Sequence, residues 1–121
     1  MASVAEVVAE YVAAWGETDA EKRQALIERA WAEDGSYVDP VADIEGRGAL
    51  SELIAGFHAQ SPGSTIVKTS GIDQHHDKIR FAWAMRGADG KTLLEGIDVG
   101  EVAPDGKLAL IVGFWGAPPE G

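Results

Sequence analysis

Two carboxylates in this 121-residue chain stand in settings that could move a proton. Asp39 belongs to the run Tyr37-Val38-Asp39-Pro40. Strand alternation puts Tyr37 and Asp39 on one face, and Pro40 holds Asp39 extended while being unable to donate to a sheet ladder. The run reads as a short strand ending at a sheet edge, with a carboxylate beside an aromatic ring. Asp before Pro also starts turns, and for Asp39 taken alone that plainer reading is preferred. Asp98 lies in Gly96-Ile97-Asp98-Val99-Gly100. On a strand, Leu94, Gly96, Asp98 and Gly100 share a face that Glu95 does not. A carboxyl group among small and apolar neighbours can stay protonated and donate a hydrogen bond. The chemistry that needs such a pair is removal of a proton α to a carbonyl: a base near the carbon, donors aimed at the enolate oxygen, and an apolar wall that keeps water away.

Three helices precede the strands that must hold these groups. Ser3 can cap a first helix whose Val4, Val7, Val8, Tyr11, Ala14 and Trp15 form one apolar stripe ending at Gly16. Thr18 or Asp19 opens a second, in which Ala25, Leu26, Arg29, Ala30 and Trp31 lead to the breaker Asp34-Gly35. After the Tyr37–Asp39 strand a loop through Ile44-Glu45-Gly46 reaches a third helix, Arg47 to Gln60, buried through Leu50, Leu53, Ile54 and Phe57 and stopped by Ser61-Pro62-Gly63. From Ser64 the pattern becomes four strands in a meander, with turns at His76-Asp77, Ala88-Asp89-Gly90 and Pro104-Asp105-Gly106. Helices first and a curved, mostly antiparallel sheet afterwards make an α+β domain, residues 1–117 with a tail at 118–121, whose concave side encloses a pocket.

Parity names the residues facing that pocket. Ile79, Phe81, Trp83 and Met85 share one face of their strand; Ile111, Gly113 and Trp115 share one face of the last. With the helix residues, the expected pocket lining is Trp15, Tyr37, Leu53, Phe57, Phe81, Trp83, Met85, Gly96, Ile111 and Trp115, although most of these aromatics are core by default. Apolar residues on the opposite face suit a second subunit, so a homodimer through the sheet is expected.

Composition excludes several classes. Twenty acidic against ten basic residues give a net charge of −10 with no basic cluster, which disfavours nucleic acid. Without cysteine there is no disulfide framework and no thiol nucleophile. No segment has the length of a membrane span, and Met1 to Ala14 lacks the pattern of a signal peptide, so a cytoplasmic protein without a membrane partner is expected. No metal site and no cofactor are expected: His75-His76-Asp77 reads as a solvated turn, and phosphate-binding glycine loops and nucleophile elbows are missing. His58 reads as an exposed imidazole at a helix end. Arg80 and Arg86 fall on the face opposite the pocket.

The order helix, helix, Trp31-Ala32-Glu33-Asp34-Gly35-Ser36-Tyr37-Val38-Asp39-Pro40, then Glu45-Gly46-Arg47 opening a helix, then the meander, resembles the nuclear transport factor 2-like (NTF2-like, cystatin-like) superfamily over nearly the whole chain. That resemblance implies a cone-shaped fold that hosts ketosteroid isomerases, SnoaL-like polyketide cyclases, epoxide hydrolases, scytalone dehydratases and non-catalytic binding modules. Residue by residue the chain is most similar to the ketosteroid isomerases. The resemblance implies Asp39 as general base, Tyr11 and a protonated Asp98 in Ile97-Asp98-Val99 as oxyanion donors, and Trp115 as a pocket wall. It departs where those isomerases carry further tyrosines, since Trp31 and Ile54 stand there, and the bulk of Tyr37 and Trp83 predicts a cavity too small for a steroid. The expected ligand is a small hydrophobic carbonyl compound. The alternatives are a non-catalytic ligand-binding or dimerisation module and, lower, an epoxide hydrolase using Asp98 with Arg80 or Arg86.

Overall fold

The computed structural model describes residues 2–121, so the first residue of the expected 1–117 domain lies outside the described residues. Helix α1 (Val4–Gly16) starts where Ser3 accepts from the Glu6 N–H, satisfying one of the free donors of the first turn. It buries Val7, Val8, Tyr11, Ala14 and Trp15. Helix α2 (Ala20–Ala30) is capped by Asp19, which accepts from the Lys22 N–H.

Helix α2 ends earlier than the sequence pattern predicts, because Trp31 begins strand β1 (Trp31–Asp39). Asp34-Gly35 is therefore no helix stop; a register irregularity falls between Trp31 and Ser36. The indole of Trp31 folds over Gly35, where a Cβ would lie 2.5 Å from Nε1, and its N–H donates to the Gly35 carbonyl. The face of α2 also differs from the predicted one: Arg23, Ile27 and Ala30 are buried and Ala25 is exposed. Arg23 is tolerated inside because its guanidinium donates to the Glu17 carbonyl and Ser51 Oγ, joining the α1–α2 turn to the third helix.

The expected loop at Ile44-Glu45 is instead strand β2 (Ala42–Glu45), which forms a hairpin with β1 across Pro40-Val41. It takes the sheet edge, so β1 is an interior strand rather than the predicted edge. Gly46, at φ +96°, turns the chain into α3 (Arg47–Gln60). Arg47 then reaches back to the carbonyls of Trp31 and Glu28 and closes the end of α2.

The remaining strands are β3 (Thr65–Lys68), β4 (Asp73–His75), β5 (Lys78–Arg86), β6 (Thr92–Val102) and β7 (Leu108–Trp115). They number five, not four, because the strand expected after Ser64 is broken into β3 and β4, both paired with β5. At the break the Ser70 hydroxyl, rather than a backbone carbonyl, takes the Ala82 N–H. The sheet order is β2-β1-β7-β6-β5-β3, antiparallel except for the parallel β1–β7 pair. The three helices cover one face of this curved, open sheet, and a single core joins Val8, Ile27, Trp31, Leu50, Ile54, Ile79, Leu108 and Ile111 from both layers. After Trp115 the chain carries no regular structure. No described helix is long and apolar enough to cross a membrane.

Candidate functional site

A cavity of about 650 Å³ opens between the sheet and the C-terminal halves of α1 and α3. Tyr11, Tyr37, Asp39 and Asp98 all border it. So do Trp15, Leu53, Phe57, Phe81, Trp83, Met85 and Trp115. Two residues of the expected lining do not. Ile111 is wholly buried in the core, and Gly96 is covered by the Trp83 indole, which would come within 2.3 Å of a Cβ there. Val12, Val41, Glu52, Gly56, Gln60, Ser61, Ile66 and Leu94 complete the wall without having been singled out by the sequence. Helical spacing from Leu53 and Phe57 was a usable signal for Gly56 and Gln60, one turn away from each.

Register explains how the acids meet. Asp98 on β6 lies opposite Gly113 on β7, and Val38 of β1 lies beside Val112, which brings Asp39 next to Gly113 from the other side. A Cβ at Gly113 would sit 3.1 Å from Asp98 Oδ1, 3.5 Å from Asp39 Cβ and 3.9 Å from the Tyr37 hydroxyl. The glycine thus leaves the gap across which the three groups face one another.

Asp98 is only 6% exposed. Its Oδ1 accepts from the Trp83 indole N–H at 2.9 Å. Desolvation pushes its carboxyl up to about 7, opposed by the Trp83 hydrogen bond and reinforced by the charge of Asp39. Tyr11 is 3% exposed and stacks on Trp31, ring centroids 5.5 Å apart and planes 15° from parallel. Burial, with the charges of Asp98 and Tyr37 adding to it, holds the Tyr11 hydroxyl well above its ordinary range, so it remains a donor. No buried side-chain nitrogen or oxygen among the described residues is left without a partner, and the Tyr11 hydroxyl opens on the cavity.

Asp39 is half-buried and doubly held. The Tyr37 hydroxyl donates to Oδ2 at 2.7 Å, and the Val41 N–H donates to Oδ1 at 2.9 Å. Asp39 therefore starts a turn and also faces the cavity, so the two readings of its sequence are compatible. Burial drives Tyr37 far above the phenol range, helped by its bond to Asp39. Tyr37 lies against Asp39 and the Trp83 indole covers Gly96, and the cavity's volume falls within the range of drug-sized ligand sites.

Other candidates lie elsewhere. His58 is not the exposed imidazole expected: it is half-buried and its Nε2 donates to the Trp15 carbonyl at 2.8 Å, tying α3 to the end of α1. Arg80 pairs with Asp73 on the outer side of the sheet, remote in direction from Asp98. His75-His76-Asp77 forms the exposed β4–β5 turn, and no group of three potential metal ligands occurs among the described residues.

A family model described as the SnoaL-like domain matches residues 8–111. The chain belongs to the SnoaL-like family. Among solved structures, a proposed isomerase of the SnoaL-like family from Agrobacterium tumefaciens str. C58 is 32% identical, with a TM-score of 0.88 over 97% of this chain and 100% of that one. A proposed polyketide cyclase from Sinorhizobium meliloti is 16% identical, with a TM-score of 0.71 over 89% and 93%. A protein of unknown function with a cystatin-like fold from Methylobium petroleophilum PM1 is 17% identical, with a TM-score of 0.75 over 97% and 78%. The latter two, at their level of identity, show the fold alone. No curated protein matches the chain. The α+β, NTF2-like architecture of this SnoaL-like protein is thus established.

Proposed function

We propose that this SnoaL-like protein binds a small hydrophobic carbonyl compound and removes a proton α to the carbonyl, as an isomerase or cyclase without a cofactor. Asp39 is the base, and Tyr11 with protonated Asp98 donates to the developing enolate oxygen. One observation carries the reading. Asp98 is buried at the cavity wall with its carboxyl raised to about 7, facing Asp39 across Gly113. A carboxyl poised there is protonated in much of the population at neutral pH, and a preorganised neutral donor in a dry site stabilises an oxyanion strongly. Asp39, held by Tyr37 and Val41, is the acceptor on the other side.

The double engagement of Asp39 also suits a second reading, a non-catalytic ligand-binding module in which these bonds merely order the wall. The epoxide-hydrolase alternative loses support because Arg80 is paired to Asp73 outside. The expected homodimer rests on the outer sheet face, where Leu93, Ile97, Val99 and Phe114 are exposed and Arg80 and Glu95 supply charges of both signs. The proposed setting is cytoplasmic.

Two measurements test the function. Naphthols mimic an enolate; they should bind, Tyr11→Phe should weaken them by about tenfold, the loss of one charge-assisted hydrogen bond, and Asp98→Asn, which replaces an acidic O–H donor with a weaker amide N–H, should weaken them less. Incubation of 2-acetylnaphthalene in D2O should exchange its methyl protons faster with the protein than without, and Asp39→Asn should abolish the gain. Exchange undiminished in Asp39→Asn removes the base; naphthol binding without any exchange favours the module.

A further inference from the structure

Trp83 and Asp98 are joined by a bond that strand register alone does not supply. Between β5 and β6 the residue opposite Asp98 is Phe81, and the residue opposite Trp83 is Gly96. The indole therefore runs diagonally along β6, over Gly96, and its N–H reaches Asp98 Oδ1 at 2.9 Å. A glycine at 96 is required for this, since a Cβ there would lie 2.3 Å from the six-membered ring of the indole. Oδ1 is closed in further by Gly113, where a Cβ would stand 3.1 Å away. Among the described residues the Trp83 N–H is the one partner of the Asp98 carboxyl, and no buried side-chain oxygen is left without a partner. Oδ2 is therefore reached from the cavity that Asp98 borders.

An indole N–H donates and never accepts. It suits an ionised carboxylate, or the carbonyl oxygen of a protonated carboxyl group whose hydroxyl is then the other oxygen. With Oδ1 taken in this way, the proton of the acid is confined to Oδ2, on the cavity side. We propose that Trp83 is the positioning residue of this site: its N–H fixes the plane of the Asp98 carboxyl and assigns the proton to the oxygen that meets the ligand. This deepens the isomerase or cyclase reading given above and rests on it, with Trp83 acting through Asp98 rather than on the reacting atoms. A donor already oriented has no reorganisation to undergo when the enolate forms. The same bond is stronger to the ionised carboxylate than to the neutral acid, so it keeps Asp98 more acidic than burial alone would. The titratable groups facing Asp98 are Tyr11 of α1 and Tyr37 and Asp39 of β1. Both phenols are held above their ordinary range, which leaves Asp39 as the charge that acts on Asp98. Glu52 of α3 borders the cavity but is exposed, β7 presents Gly113, and Arg80 of β5 is paired with Asp73 on the outer side.

The test exchanges the N–H for sulfur at nearly constant shape, by placing 3-benzothienylalanine at position 83, with Trp83→Phe as a second variant. Carboxyl-carbon NMR follows the titration of Asp98, and naphthol affinity and the α-proton exchange of 2-acetylnaphthalene are measured at about pH 5.5, where the acid is protonated in every variant. The Asp98 midpoint is expected to move upward from about 7 by roughly one unit, a tenfold loss of acid strength. At the acidic pH, naphthol affinity is expected to fall by about threefold and exchange by about tenfold, because the proton is free to occupy either oxygen. Loss of packing alone would weaken binding without raising the midpoint. A midpoint that stays or falls in both variants overturns the proposal, because Trp83 then does not hold the carboxyl. A raised midpoint with affinity and exchange unchanged overturns it as well, since the bond is then structural. Wild type that neither binds naphthol nor exchanges the ketone overturns the carbonyl reading and the positioning role together; wild type active in both, with variants indistinguishable from it, overturns the positioning role alone.

Discussion

Gly113 stands directly opposite Asp98 on the neighbouring strand, and a single methyl group at that position would sit 3.1 Å from the Asp98 Oδ1. On its other side the same methyl would meet Asp39 Cβ at 3.5 Å. Such a separation from Oδ1 is tighter than packed interiors normally allow, so the Asp98 carboxyl must shift by a few tenths of an ångström. Gly113→Ala is expected to cost about 1 to 2 kcal/mol of stability, the usual penalty of modest overpacking. Naphthol affinity should fall by about tenfold because the gap between the acids closes. Urea melts and fluorescence titration check the two effects; an unchanged affinity would show that the gap is not part of the ligand site.

Burial of Asp98 has a consequence for stability. Its carboxyl titrates near 7 in the fold against 3.8 in its ordinary state, so the folded chain holds the proton more tightly than the unfolded one. The associated stability is fully present below about pH 4 and is lost as pH rises toward 7, up to roughly 4 kcal/mol for a shift of this size. Asp98→Asn keeps an acceptor for the Trp83 indole and cannot ionise. It is expected to melt at a higher temperature than wild type at pH 8 and near the wild-type temperature at pH 4, measured by circular dichroism. Equal pH dependence in the two proteins would mean that Asp98 is solvated.

How much of this was legible in the sequence depended on what each residue competes with. Helices α1 and α3 could be read to their ends because Ser3, Gly16, Gly46 and Ser61-Pro62-Gly63 mark them with local chemistry. The end of α2 could not, since Ala30-Trp31 continues a helical pattern until the fold turns Trp31 into the sheet over Gly35. Strand alternation grouped Asp98 with Leu94 and Gly96 and apart from Glu95, and the β5–β6 register sets that face beside Phe81 and Trp83. The meeting of Asp98 with Asp39 could be expected only from the family resemblance, because it depends on the parallel pairing of β1 with β7, a contact between distant segments that no local pattern encodes. Nor does a local pattern reveal Arg23, whose charge reads as exposed until Glu17 and Ser51 are seen to receive it. Trp83 as the partner of Asp98 lay within reach, since Gly96 opposite a tryptophan signals a ring needing space.

The outer face of the sheet predicts an assembly. Ile97 and Phe114 lie opposite each other on β6 and β7, 40% and 61% exposed, with Val99 and Leu93 extending the patch. Burying such a patch against a second copy would contribute about 25 cal/mol per Å² of apolar area, and a charge at its centre would have to be desolvated without a partner. Ile97→Glu and Phe114→Glu, singly, are each expected to convert a dimer to a folded monomer in analytical ultracentrifugation, with the far-ultraviolet spectrum unchanged. A wild-type protein that sediments as a monomer at every concentration would remove this face as an interface.

Tyr37 gives the sharpest separation of binding from chemistry. Its hydroxyl donates to Asp39 Oδ2 at 2.7 Å, while the Val41 N–H fixes Oδ1, so the carboxylate is clamped at both oxygens. Hydrogen bonds to a charged group contribute about 1.5 to 3 kcal/mol, and here the benefit is orientation of the base rather than contact with the oxygen of the ligand. Tyr37→Phe keeps the ring and its contact with Trp15, where the centroids are 5.6 Å apart. It is expected to slow α-proton exchange of 2-acetylnaphthalene by about tenfold or more while changing naphthol affinity less than about threefold. Tyr11→Phe should show the reverse emphasis, weakening naphthol binding first. If Tyr37→Phe instead lowers affinity and exchange in equal proportion, Tyr37 serves as a wall of the cavity and Asp39 is positioned by the Val41 N–H alone.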